Sequence, residues 1–226
     1  MISLRTASKT YSPTRGLRVA AVDRVDLEVD AGEFLVITGR SGSGKTTLLN
    51  LIAGLTTPTE GQVVVDGADL WTLSDAARSR LRNERVGFVF QFPSLLPTLT
   101  ALENVLLPAT FGAGRSSDPA LRSRARGLLA QVGLDDRLAA YPRELSAGQQ
   151  QRVVLARSMV NGPRLLLADE PSSNLDEHTE AEIMDGFREL HRSTGVTILM
   201  VTHAARLKAY GTRAIEMAAG RIVGVA

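Results

Sequence analysis

A chain of 226 residues is long enough to bury a sizeable core and suits one domain with room for an inserted subdomain. Its formal charge of +2 is nearly balanced, and the absence of cysteine excludes a disulfide framework and suits a reducing compartment. Met1 to Arg5 shows no signal-peptide core, and no apolar run approaches the roughly 18 residues needed to span a bilayer, so the expectation is a soluble chain that reaches membranes only through a partner.

In chain order, Ile2 to Ala7 reads as a short strand and Tyr11-Ser12-Pro13-Thr14-Arg15-Gly16 as a turn, which places Tyr11 at the edge of the fold. An aromatic there either stacks on a nucleotide base or packs as an ordinary half-buried tyrosine. Val25, Leu27 and Val29 alternate with Asp26, Glu28 and Asp30, the pattern of a strand with one wet face. Ala31-Gly32-Glu33 then turns the chain into Phe34–Thr38, a continuous apolar run that reads as a buried strand.

The next stretch, Gly39-Arg40-Ser41-Gly42-Ser43-Gly44-Lys45-Thr46-Thr47, has the spacing of a phosphate-binding loop. Its glycines let the backbone turn tightly enough to aim several N–H groups inward, and the helix that follows points its positive end at the same anion. Lys45 would neutralise the β- and γ-phosphates, and Thr46 would hold Mg²⁺. Only three lysines occur in the chain, Lys9, Lys45 and Lys208, which puts a chance match on the order of one in a few hundred. Leu48 to Ala53 is helical and stops at Gly54, so the loop has the strand before it and the helix after it that the motif requires.

Thr56 to Gly61 reads as a turn, Val63-Val64-Val65 as a strand and Asp66-Gly67 as a second turn, which gives an antiparallel layer beside the nucleotide core. Ser74 is a plausible N-cap for a helix to about Arg85. The runs Arg78-Ser79-Arg80-Leu81-Arg82 and Arg122-Ser123-Arg124-Ala125-Arg126 read as solvated helix faces rather than nucleic-acid patches, because neither contains an aromatic residue for base stacking. Val86 to Phe90 is another apolar strand, closed by Gln91 at the edge where ligands bind in open α/β sheets. Gln91 there either faces the phosphate loop or starts a surface loop.

From Phe92 to Gly162 the pattern is helical. Thr100-Ala101-Leu102-Glu103 and Ser146-Ala147-Gly148-Gln149 are capping boxes, and Asp118-Pro119 starts a helix that Gly133 can end. This region is expected to be a helical insertion between two core strands. Leu165 to Ala168 is the next buried strand, with Asp169-Glu170 at its carboxyl end. Two adjacent carboxylates there are explained by a Mg²⁺ ligand followed by a water-activating base. Ile183, Phe187 and Leu190 keep helical spacing up to Gly195, and Val196 to Thr202 is a strand that delivers His203 to the same edge. Ala214–Met217, Ala219-Gly220 and Arg221–Val225 read as a hairpin.

With Leu145-Ser146-Ala147-Gly148-Gln149-Gln150-Gln151-Arg152 upstream of Leu165-Leu166-Leu167-Ala168-Asp169-Glu170-Pro171, the chain resembles an ATP-binding-cassette (ABC) ATPase over nearly its whole length. A phosphate loop alone allows any P-loop NTPase; a signature stretch ahead of the acidic strand narrows this to one superfamily. The resemblance implies an α/β fold, with a P-loop NTPase (RecA-like) core, an antiparallel β layer and an inserted helical subdomain at about 92–162, all within one domain spanning 1–226. It also implies that Tyr11 stacks on adenine, that Gly39 to Thr47 hold ATP, and that Thr46, Gln91 and Asp169 support Mg²⁺. Glu170 would polarise the attacking water, His203 would contact the γ-phosphate, and Gln91 would link metal and water to the insertion. Ser146, Gly148 and Gln149 would meet ATP across a homodimer formed on ATP binding, and Ser173-Asn174-Leu175-Asp176 matches the loop that crosses between subunits. Two positions depart from the pattern: Ala147 stands where many members have Gly, and Ala204 follows His203 where an acidic residue is usual.

A narrower likeness, in Phe90 through Val105, is to the branch that powers lipoprotein release, macrolide or peptide export, and cell-division membrane complexes. It implies an ATPase subunit driving a separate integral membrane permease docked on the helical subdomain near Gln91. The chain would then be cytoplasmic, peripheral on the inner face of the cell membrane, and without a nucleic-acid partner. The alternative, a soluble ABC ATPase acting on DNA or ribosomes, usually has a long coiled-coil insertion or two cassettes in one chain, and neither is present. A regulator without turnover is disfavoured because Glu170 and His203 are both present. Phe92, Leu95, Leu96, Leu99 and Leu106, interrupted by Pro93 and Pro97, either leave some of their apolar surface open for the permease, which is the expectation, or pack the insertion's own core.

Overall fold

Alternating and continuous apolar runs place ten strands and six helices in the computed structural model, which describes residues 1–12, 18–111 and 118–225. The strands are β1 (Ile2–Tyr11), β2 (Val19–Val29), β3 (Phe34–Thr38), β4 (Glu60–Val65), β5 (Ala68–Asp69), β6 (Val86–Val89), β7 (Leu165–Asp169), β8 (Thr197–Thr202), β9 (Arg213–Ala218) and β10 (Arg221–Val225). The helices are α1 (Lys45–Ile52), α2 (Asp75–Arg85), α3 (Ala101–Thr110), α4 (Pro119–Gln131), α5 (Ala147–Met159) and α6 (Glu177–Thr194). They form two compact units: Met1–Arg82 with Gly195–Ala226, and Asn83–Thr194.

The first unit contains the antiparallel sheet β2-β1-β4-β5 and a second group of strands in which β3 runs parallel to both β8 and β9, with β10 antiparallel to β9. A strand with parallel neighbours on both sides needs apolar residues on both faces, and all five residues of β3 are buried. Helix α1 packs its Leu48, Leu49, Leu51 and Ile52 into the same core, each no more than 1% exposed. The hairpin turns Asp66-Gly67 and Ala219-Gly220 all have positive φ, as two-residue hairpin connections require.

Several expected strand boundaries shift, two of them by four or more residues. β1 runs on through Ser8-Lys9-Thr10 to Tyr11, pairing Tyr11 with Val19, so Tyr11 ends a strand and is not in a turn. The rest of the expected turn, from Pro13, lies outside the described residues. β2 begins six residues before Val25, at Val19. Thr6 (φ 45°) and Arg24 (φ 47°) sit beside register shifts between β1 and β2, and each irregularity moves the side-chain phase by one, hiding both extensions from a period-two reading.

In the second unit β6 and β7 pair in parallel, Val86↔Leu165 to Val89↔Ala168, and α5 packs against β6, α3, α4 and α6. Val153, Val154, Leu155 and Ala156 of α5 are each at most 1% exposed, which makes it the central helix of that unit. Both expected capping boxes are formed. Thr100 Oγ1 accepts from Glu103 N while Glu103 Oε2 accepts from Thr100 N, and Ser146 with Gln149 does the same for α5. Each such cap stabilises a helix start by about 1 kcal/mol. Asp118 caps α4 through Ala120 N, and Ser74 accepts from Ala77 N at the start of α2.

The arginine runs lie on α2 and α4 as expected, although part of each is engaged with the protein. The Arg78 guanidinium lies 4.2 Å from the Trp71 ring centroid, Arg82 donates to the Gly54 carbonyl, and Arg124 donates to the Met159 carbonyl. Among the described residues no helix is long and apolar enough to cross a membrane.

Candidate functional site

The phosphate-type loop leaves β3 at Thr38 and enters α1 at Lys45. Gly44 is the N-cap of α1 with φ 101°, and a Cβ there would overlap the Ala21 carbonyl oxygen, so only glycine fits. With no side chain at the N-cap, nothing from that position caps the first turn of α1, and this helix end is left with its partial positive charge. Lys45 is 6% exposed, and its ammonium donates to the carbonyls of Gly39 (2.8 Å) and Arg40 (3.1 Å), lying back across the loop. Ser43 is 5% exposed, and its Oγ has no hydrogen-bond partner among the described residues. A buried, unpartnered hydroxyl costs stability. Beside a buried ammonium and a helix N-terminus, it makes a cradle suited to phosphate oxygens. Arg40, Ser41, Gly42 and Thr46 are exposed along the loop, and Thr47 is half-buried.

β8 lies beside β3 in parallel register, Thr38↔Thr202, so the chain leaves both strands at one height, into Gly39 on one and His203 on the other. His203 is exposed, and Thr202 Oγ1 accepts from Ala204 N just beyond it. The expected pairing of loop and histidine at one strand edge is therefore present within the first unit. Tyr11, 42% exposed, lies in that unit too. Lys9 Nζ sits 5.2 Å from the Tyr11 ring centroid and donates to the Thr57 carbonyl at 2.7 Å, so an ammonium is fixed against the ring.

In the second unit, the register Val89↔Ala168 brings Gln91 and Glu170 to the same height beyond two adjacent parallel strands. Asp169 is the last residue of β7 and Glu170 the first beyond it. Glu170 has φ 47°, a left-handed conformation that costs a non-glycine residue about 1–3 kcal/mol and is typically kept where a side chain must be aimed. Its carbonyl accepts from Ser173 N at 3.2 Å, closing the turn that leads to α6. Gln91 is exposed, one residue past Phe90, whose ring stacks on Phe88 at 5.2 Å.

The signature stretch opens α5. Ser146 is exposed at the N-cap, and the Gln149 side chain is used by the capping box. Gly148 is buried against Thr179 of α6. Asp176 caps α6, its two oxygens accepting from Thr179 N (3.0 Å) and Thr179 Oγ1 (2.6 Å). The hydrogen bond from the Thr179 hydroxyl, helped by the Thr179 amide, holds the Asp176 carboxyl below the usual carboxylate range.

The apolar residues after Gln91 divide. Phe92 is 62% exposed and Leu96 44%, and Leu95 and Leu99 are half-buried. Leu106, at 6% exposed, belongs to the core, because it shares one face of α3 with Leu102, Val105 and Ala109.

Known proteins resemble this chain closely. A family model described as "ABC transporter" matches residues 22–173. The lipoprotein-releasing system ATP-binding protein LolD of Syntrophotalea carbinolica is 47% identical over 225 residues, 99% of this chain and 97% of that protein. The macrolide export ATP-binding/permease protein MacB of Syntrophobacter fumaroxidans is 41% identical over 222 residues, 98% of this chain and 31% of that protein. Among solved structures, the ATP-binding cassette MJ0796, described as dimeric, in a post-hydrolysis state and bound to ADP and Pi, matches with a TM-score of 0.90 and 39% identity. That match covers 100% of this chain and 98% of the other.

Proposed function

Because the chain belongs to the ABC transporter family, we propose that it hydrolyses MgATP as a homodimer and drives a separate membrane permease. The observation that carries this reading is the phosphate loop, where the buried Lys45 ammonium and the unpartnered Ser43 hydroxyl surround a helix start that no N-cap side chain covers. Such a cradle favours a polyphosphate over a neutral ligand.

The residues at the strand ends divide the work. Lys45 neutralises the β- and γ-phosphates, and the loop N–H groups from Gly39 to Thr47 hold their oxygens. Thr46, Gln91 and Asp169 would hold Mg²⁺, which suits their hydroxyl, amide and carboxylate oxygens and which when bound offsets phosphate charge. Glu170 takes a proton from the water as its oxygen bonds to the γ-phosphorus and the bond to the ADP oxygen breaks. His203 donates to a γ-phosphate oxygen, and Tyr11 stacks on the adenine. Ser146, Gly148 and Gln149 of a second copy bring the start of α5 to the same nucleotide, and Asp176 sits in the loop that passes between copies. The dimeric description of the MJ0796 cassette supports that arrangement. The names of the LolD and MacB relatives support a membrane permease partner and hence a place on the inner face of the cell membrane. Phe92 and Leu96, exposed beside Gln91, are the docking surface.

Steady-state phosphate release by the purified full chain tests the reading. Hydrolysis that needs Mg²⁺ and disappears in Lys45→Ala is the expected result. Turnover that survives in that variant would remove the assignment.

A further inference from the structure

The segment that carries Gln91, from Phe90 to Thr100, forms neither helix nor strand, yet its main chain is gripped from two helices. On one side, Gln151 Nε2 of α5 donates to the Phe90 carbonyl at 3.4 Å. Arg157, also on α5, donates through Nη1 to the Ser94 carbonyl (3.0 Å) and through Nη2 to the Pro93 carbonyl (3.1 Å). On the other side, the fully buried Asn104 of α3 accepts from Leu96 N (2.8 Å) and donates to the carbonyls of Leu96, Leu99 and Thr100. Gln91 thus lies between two carbonyls, those of Phe90 and Pro93, that are both held by α5.

Arg157 is an unusual choice for this task. Its guanidinium is half-buried, and that burial pulls its pKa below the ordinary arginine value. Its described partners are main-chain carbonyls rather than a carboxylate, so no opposite charge offsets its desolvation. Two successive carbonyls can face one guanidinium fork only if the backbone between them turns sharply, and Ser94 has φ 46°, in the left-handed region. A planar fork can hold both carbonyls in one geometry, which the point charge of a lysine cannot. A costly cation and a strained residue are therefore both kept in order to fix one short piece of main chain.

We propose that Arg157 is a positioning residue that sets where Gln91 stands at its strand end, and so ties Gln91 to the rigid helix whose first turn begins at Ser146. The proposal rests on the reading of Gln91 as a catalytic-site residue. Helix α5 spans 13 residues, about 20 Å, so a shift of the loop at its Arg157 end is carried along one stiff rod to Ser146.

The test uses the full-length chain. Arg157→Lys and Arg157→Gln are each made alone and combined with Gln91→Ala, and Mg²⁺-dependent phosphate release is measured beside ATP affinity and thermal melting. Because the chain has no cysteine, Phe92→Cys gives a single site for a nitroxide label, whose mobility reports on the loop without reference to activity.

The expected result is a roughly tenfold fall in kcat for Arg157→Lys, with ATP affinity kept within about twofold and greater label mobility. In the Gln91→Ala background the same change should alter kcat by less than about twofold. If Gln91→Ala lowers turnover and Arg157→Lys is equally damaging with or without Gln91, Gln91 stands and the role of Arg157 is overturned. If Gln91→Ala leaves turnover intact, the reading of Gln91 falls and the proposal falls with it. Unchanged label mobility in both Arg157 variants also overturns the proposal, whatever their activity.

Discussion

Gly148 of α5 lies so close to Thr179 of α6 that a Cβ on residue 148 would overlap Thr179 Cγ2. Two competing effects decide what an alanine does there. Alanine improves helix propensity by up to about 1 kcal/mol, whereas overpacking against a fixed neighbour costs about 1–3 kcal/mol. Thr179 cannot readily swing away, because its hydroxyl is bonded to Asp176. Gly148→Ala should therefore lower stability in urea unfolding. Thr179→Ser deletes the offending methyl and keeps the hydroxyl, so the double variant should regain most of the loss. Additive losses in the pair would show that the contact is not the cause.

Glu170→Gln keeps the shape of the side chain and removes the carboxylate proposed as the base. Turnover should fall by roughly 10²–10⁴ while ATP binding persists. Rapid-quench measurement of phosphate release beside equilibrium nucleotide binding separates the two quantities. A variant that hydrolyses ATP at a near-normal rate would move the base elsewhere.

Leu96→Asp and Leu106→Asp make a matched pair, since the first residue is 44% exposed and the second 6%. A charge at Leu106 enters the core unpaired and should unfold the second unit. A charge at Leu96 should leave melting within about 0.5 kcal/mol of the parent, as for an ordinary surface change. Co-expressed with its permease, the Leu96 variant is expected to lose co-purification and permease-stimulated hydrolysis while its basal hydrolysis stays intact. Normal association would place docking away from Phe92 and Leu96.

Acid should weaken the fold through three carboxylates that hydrogen bonds hold below their ordinary range. Arg221 does this to Asp23 by a side-chain hydrogen bond, the Thr100 amide to Glu103, and the Thr179 hydroxyl to Asp176. In each case the folded-state pKa lies below the unfolded one. The stabilisation is therefore complete above the unfolded values, about 4, and drains away as pH falls through the folded ones. Melting temperature should be nearly flat from pH 7 to 5 as far as these groups are concerned, and should drop below about pH 4. Asp176→Asn should make that drop shallower. An unchanged slope would mean that the Asp176 cap does not contribute to it.

The parts of the fold written in local chemistry were legible in advance. Phe34–Thr38, both capping boxes and the hairpin ending in β10 appear where spacing put them, because each depends on residues within a few positions of one another. The far ends of β1 and β2 were not, since Thr6 and Arg24 break the alternation that marks a strand. Which members of the apolar set after Gln91 stay open was not legible either: helical spacing carries Leu106 inward while Phe92 and Leu96 remain exposed. The proposed site residues, which would act through their own side-chain chemistry, were picked by type and position. Arg157, Gln151 and Asn104 were not, because a side chain that holds a main-chain carbonyl 4 to 64 residues away leaves no mark on the sequence between.

The Ser43 carbonyl accepts from Gly220 N at 3.0 Å, and the Gly220 carbonyl accepts from Asp23 N, so the phosphate loop is braced by the turn between β9 and β10. Both parallel neighbours of β3, β8 and β9, also come from the final 30 residues. A ribosome makes the loop well before its supports. At about 5–20 residues per second, some ten to thirty seconds separate the emergence of Lys45 from that of Gly220. The loop's bracing is therefore complete only once Gly220 has emerged, 175 residues after Lys45, so the phosphate loop waits on distant chain for its support.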